Sequence, residues 1–201
     1  MKLGFGGLLR GGLLRGGRLP VPALALVLLG GIPAVGLAQH FTDRDTLAPD
    51  YPTPETVVDQ MLTIAQVRPG ETVYDLGCGD GRIVITAAQK FKARAVGIEI
   101  RRDIYERTLA KVASLGMSDQ VRIVHGNALK YDLSPADVVT LYLLTSSNER
   151  LKPILLKDLK PSARVVSHDF EIRGWKPAAV NKMVVGGRPH MIYLYRIDDA
   201  R

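Results

Sequence analysis

Asp75-Leu76-Gly77-Cys78-Gly79-Asp80-Gly81 closes an apolar run over 72–76 with three glycines spaced one residue apart. Glycines let the backbone turn sharply and approach a ligand where a Cβ would collide. Beyond the loop, Ile83, Val84, Ala87, Ala88 and Phe91 recur at helical spacing and predict a helix over 82–92. The unit is therefore strand, tight loop, helix.

The same alternation extends in both directions. Downstream, 94–100 reads as a strand and 101–115 as a helix with Ile104, Tyr105, Leu109 and Val112 inward and Gly116 as its stop. Strands follow at 121–124 and 136–143, then a helix through Leu151, Ile154, Leu155 and Leu159, then a strand at 163–169. The last apolar runs, 180–185 and 190–197, read as a closing antiparallel pair. Upstream, Thr53-Pro54 starts a helix, with Thr53 as N-cap and Val57, Val58, Met61, Leu62 and Ile64 on its apolar face. Strands joined by crossover helices make a parallel sheet with both faces covered. The expected fold is open α/β and Rossmann-like, mostly parallel, with helices on both faces and a C-terminal antiparallel pair.

Size fits one domain: 201 residues, 46% of them hydrophobic. The net charge of +7 falls to +3 when Lys2, Arg10, Arg15 and Arg18 are set aside (7 − 4), so a nucleic-acid partner is not expected. With Cys78 as the one cysteine, no internal disulfide forms. No metal-ligand set is expected. Residues 1–38 form a cationic, then uncharged apolar leader, whose 19–38 stretch approaches bilayer length at about 20 residues. It reads as a signal peptide cut before Gln39 or as a membrane anchor, with the small residues Gly36-Leu37-Ala38 and internal prolines favouring cleavage. Either makes the protein membrane-associated or exported, with the cytoplasmic face of a membrane as one possible site. Residues 39–53 are a polar linker and the approach to the cofactor site, and 54–201 are the domain proper.

In open α/β sheets, ligands sit beyond the carboxyl ends of the strands at the switch in strand order. Dinucleotide loops need Gly-x-Gly-x-x-Gly, and the position that should hold the last glycine is Arg82. The spacing here is Gly77-x-Gly79-x-Gly81, preceded by the acid Asp75. Glu99 ends the second strand, where an acid accepts both ribose hydroxyls of a nucleoside or caps the following helix. Asn127, in Gly126-Asn127-Ala128 after the third strand, is placed for an adenine edge or for a turn. Together these residues point to S-adenosylmethionine.

Tyr51-Pro-Thr-Pro54 and Val73-Tyr-Asp-Leu-Gly-Cys-Gly-Asp-Gly-Arg-Ile-Val-Ile85 resemble the small class I protein-lysine methyltransferases related to the mitochondrial ATP-synthase c-subunit lysine methyltransferase. Val138-Val-Thr-Leu-Tyr-Leu-Leu144, Val165-Val-Ser-His-Asp-Phe170 and Gly174-Trp175 extend the likeness over 51–196. Cys78 departs from the serine common in relatives. The resemblance implies a class I methyltransferase fold and methyl transfer to a lysine of a protein substrate, often at a membrane. Tyr142 and Asp169 are then the candidates for orienting or polarising the amine. For Tyr142 a core position, and for Asp169 a cap or turn, explains the residue equally well. Tyr51, Thr53 and Trp175 are candidates for closing over cofactor and substrate, Trp175 alternatively plugging the sheet edge. His168 reads as a strand residue rather than a base. The run Leu141-Tyr142-Leu143-Leu144 is not the Asn/Asp-Pro-Pro-Tyr of enzymes that methylate base amines. Small-molecule or nucleic-acid methyl transfer, and a non-catalytic S-adenosylmethionine-binding module, remain the alternatives.

Overall fold

A computed structural model describes residues 52–200. Five helices and seven strands follow in the order α1 (Glu55–Ile64), β1 (Thr72–Leu76), α2 (Arg82–Phe91), β2 (Arg94–Glu99), α3 (Arg102–Ser114), β3 (Val121–His125), β4 (Val138–Leu141), α4 (Thr145–Asp158), β5 (Arg164–His168), β6 (Ala179–Val185), β7 (Arg188–Arg196) and α5 (Ile197–Ala200). A 3₁₀ turn over Ala128–Lys130 was not foreseen. The strands form one sheet in the order β3-β2-β1-β4-β5-β7-β6. β1 to β5 are parallel, and β7 pairs antiparallel with both β5 and β6. This is the expected α/β architecture with its closing antiparallel pair.

Alternation along the strands divides the core between the two faces. Val73, Val138, Val166, Ile192 and Leu194 pack with Val57, Met61, Val84 and Ala87 of α1 and α2. Tyr74, Leu76, Val139, Leu141, Val165 and Tyr195 pack with Leu151 and Leu155 of α4. Chain order runs outward from β1 to β3 and then restarts at β4 on the other side. The switch point therefore lies between the carboxyl ends of β1 and β4, where the glycine loop and Tyr142 emerge.

Two expectations change locally. The strand expected over 136–143 is paired only over Val138–Leu141, because an apolar run does not distinguish a ladder residue from buried coil. Thr53 is not the N-cap of α1: Pro54 holds that position, and the Thr53 hydroxyl is hydrogen-bonded elsewhere. The expectation of membrane association or export is corrected. Among the described residues no helix is long and apolar enough to cross a membrane. The 1–38 leader on which that expectation rested, and Tyr51, lie outside the described residues.

Candidate active site

The glycine loop is held from three directions. Gly77 and Cys78 donate their amides to the Ile98 carbonyl at 2.9 and 3.1 Å, fastening the loop to β2. Gly79 donates to Glu99 Oε2 at 3.0 Å, while the Thr108 hydroxyl of α3 donates to the Gly79 carbonyl at 2.6 Å. Lys111 Nζ donates to the Asp80 carbonyl at 3.0 Å. Gly77, Gly79 and Gly81 have φ of +81°, +52° and +76°, a region that side chains with a Cβ seldom enter. At Gly81 a Cβ would also come within 2.7 Å of Thr108 Cγ2. The Cys78 thiol is buried against Gly97, whose missing Cβ makes the room, and burial pushes it well above the ordinary thiol range.

Glu99 holds two backbone amides at once. Its Oε1 accepts the Arg101 amide at 2.8 Å while Oε2 holds Gly79, so the buried carboxylate is fixed at the mouth of the loop. Asp75 lies in register with Thr140 of β4, whose hydroxyl donates to Asp75 Oδ1 at 2.7 Å. Burial pushes the Asp75 carboxyl up to about 7, against the pull of that hydroxyl, and Glu99 and Asp80 add to the rise. Asn127 is buried at the start of the 3₁₀ turn, and its Oδ1 accepts the Leu129 amide at 2.9 Å.

Opposite the loop, a second group gathers at the ends of β4, β5 and β7. The half-buried Tyr142 ring, directly after β4, lies on His168 with centroids 4.0 Å apart. Thr53 Oγ1 is 3.2 Å from His168 Nδ1, and His168 Nε2 is 2.9 Å from His190 Nδ1. Burial holds His168 below the ordinary imidazole range, and therefore neutral. Asp169 has φ +59° at a tight turn in which the Phe170 amide reaches back to the His168 carbonyl at 2.7 Å. The two groups are linked through Arg82, which forks onto Asp80 and donates through Nη1 to the Thr53 carbonyl at 2.8 Å.

A model of the ANTKMT methyltransferase domain matches residues 75–179. A protein-lysine N-methyltransferase of Saccharolobus islandicus is 52% identical over 76% of this chain and 96% of its own length. The chain belongs to the ANTKMT methyltransferase domain family. As a member it is an S-adenosylmethionine-dependent methyltransferase of class I fold. The adenine nucleotide translocase lysine N-methyltransferase of Mus musculus is 33% identical over 61% of this chain, which spans only 53% of that longer protein. A crystal structure from Salinibacter ruber, described as an RNA methyltransferase in complex with S-adenosylhomocysteine, is 44% identical with a TM-score of 0.68. It covers 73% of this chain and 94% of its own.

The geometry of this family member suits the cofactor. Backbone with positive φ at three glycines leaves room for close approach, and the carboxylates of Asp75 and Glu99 are buried beside the loop. Trp175 is buried against Tyr195 of β7, ring centroids 5.8 Å apart. Arg82, Thr108, Thr140 and His190 carry the scaffolding that sequence reasoning missed. Each is a common residue type at a common position, and only the folded chain shows its partner.

Proposed function

We propose that the chain transfers the methyl group of S-adenosylmethionine to a lysine amine of a protein substrate. Asp75, Gly77, Gly79, Gly81, Glu99 and Asn127 hold the cofactor in this reading. The observation that supports lysine is the 52% identity, over nearly all of its length, to a relative named a protein-lysine N-methyltransferase. The bound cofactor supplies a methyl group on a sulfonium. Glu99 keeps lone pairs for the ribose hydroxyls after accepting two backbone amides, because a carboxylate has about four acceptor sites. Asp75, its carboxyl raised to about 7 in the cofactor-free protein, gives up its proton to face the cofactor's cationic end.

A free lysine has pKa ~10.4, so the amine must arrive or be held neutral. Tyr142 orients it through hydroxyl or carbonyl, with the ring braced by His168. Alignment and exclusion of water then supply the acceleration, and no protein nucleophile takes part.

The description of the Salinibacter relative favours a second reading, RNA as the acceptor. The two separate cleanly. Full-length protein is incubated with methyl-labelled cofactor and cell extract, and the acid-insoluble label is treated with protease or nuclease. Label released by protease alone supports lysine; release by nuclease supports RNA and overturns the proposal.

A further inference from the structure

His168, Asp169 and His190 turn three ligand atoms toward one point. His168 Nε2 and His190 Nδ1 are 2.9 Å apart, and Asp169 Oδ2 is 3.3 Å from the first and 3.4 Å from the second. His168 and His190 are 22 positions apart and are brought together by the antiparallel register of β5 and β7, in which His168 faces Ile192. We propose that the three side chains bind one divalent transition-metal ion of the zinc class, through His168 Nε2, His190 Nδ1 and Asp169 Oδ2.

The spacing is the first reason. An ion bonded tetrahedrally to nitrogen and oxygen at about 2.0–2.1 Å keeps its ligand atoms about 3.3 Å apart. Two of the three separations match that edge, and the third is shorter by a few tenths of an ångström.

Proton counting is the second. A neutral imidazole carries one N–H. The His168 ring has Thr53 Oγ1 at Nδ1 and His190 Nδ1 at Nε2, so a single ring hydrogen serves one side or the other. If His168 and His190 both pointed a hydrogen along their 2.9 Å line, the hydrogens would collide. One hydrogen on that line serves the two rings and leaves Asp169 Oδ2 at 3.3 and 3.4 Å from them, longer than a charge-assisted hydrogen bond. A cation satisfies all three atoms together.

The outer contacts are the third. Metal-bound imidazoles characteristically hydrogen-bond through the other ring nitrogen, as His168 Nδ1 does with Thr53 Oγ1 at 3.2 Å. Asp169 Oδ1 accepts the Met191 amide at 2.9 Å, which aims Oδ2 at the two rings. Asp169 adopts left-handed backbone, which Asp and Asn enter more readily than most residues with a Cβ. The Asp169 side chain is 18% exposed, giving an ion a way in. Two imidazoles and a carboxylate suit zinc and its neighbours rather than calcium or magnesium. The site does not depend on the identity of the methyl acceptor.

The test uses full-length protein dialysed against a chelator, then titrated with zinc chloride and, separately, cobalt chloride. The expected result is one ion per chain, a higher melting temperature, and with cobalt the intense visible absorption of four-coordinate geometry. Asp169→Asn retains a residue type that tolerates positive φ and keeps the Oδ1 acceptor, so it folds while removing the anionic ligand. Asp169→Asn and His190→Gln should lose the stoichiometric ion and the thermal shift with unchanged circular dichroism. His125→Gln should keep both. Should His190→Gln fail to fold, Asp169→Asn decides. Less than one ion per wild-type chain, equal binding by wild type and Asp169→Asn, or loss in His125→Gln would overturn the proposal.

Discussion

Replacing Asp75 by Asn exchanges a buried carboxylate for its neutral isostere at the switch point of the sheet. Asp75 is 3% exposed, and its carboxyl is raised to about 7. An unfolded chain loses the same proton near pH ~3.9. Between those values the native state binds the extra proton, so this group's stabilisation is complete below the unfolded pKa and is lost as pH rises through 7. Linkage puts the loss between pH 5 and pH 8 at about 2–3 kcal/mol. His168, lowered by burial, contributes with the opposite sign, its stability growing as pH rises toward the ordinary imidazole value. That contribution is common to both proteins and cancels in their difference. Urea denaturation of cofactor-free wild type and Asp75→Asn, compared from pH 5 to 8, isolates Asp75. The variant should gain on wild type by about 2–3 kcal/mol over that range, since Asn still accepts from the Thr140 hydroxyl. A difference that stays constant with pH would show that Asp75 is ionised throughout, and that burial does not govern it.

Gly79→Val forces a β-branched residue to φ +52°, and Glu99→Ala removes the acceptor that pins the loop. Calorimetry should find S-adenosylmethionine binding absent in the first and weakened by ~1–3 kcal/mol in the second; unchanged affinity in both would remove these residues from the cofactor site. Tyr142→Phe should slow turnover by about 1 kcal/mol, several-fold, with cofactor affinity unchanged. An unchanged kcat would transfer the orienting role to the Tyr142 carbonyl. Leu141→Ala, at a position fully buried in the core facing α4, should cost about 2–5 kcal/mol by chemical denaturation.

The strands and helices were legible because their apolar spacing is set by burial on two faces, and β1 was read with the bounds observed. The glycine loop was legible because its Gly-x-Gly-x-Gly spacing marks backbone with positive φ, and Glu99 because it closes the apolar run of β2. What escaped was partnership at a distance. Thr53-Pro54 matches a helix start locally, yet the Thr53 hydroxyl goes to His168, 115 residues away. His190 stands in an ordinary apolar strand, and only the β5–β7 register brings it to His168. Trp175 sits among turn residues in sequence, and its burial against Tyr195 follows from tertiary packing alone. Asp169 was singled out as a carboxylate at a strand end; its positive φ and its aim at two histidines are invisible without coordinates.

Mass spectrometry of proteins incubated with full-length enzyme and S-adenosylmethionine tests the proposed lysine chemistry. Peptides carrying methyl-lysine should appear with wild type, fall sharply with Glu99→Ala, and be absent with Gly79→Val. Methylated nucleosides in RNA from the same incubation, with no gain in methyl-lysine, would contradict it.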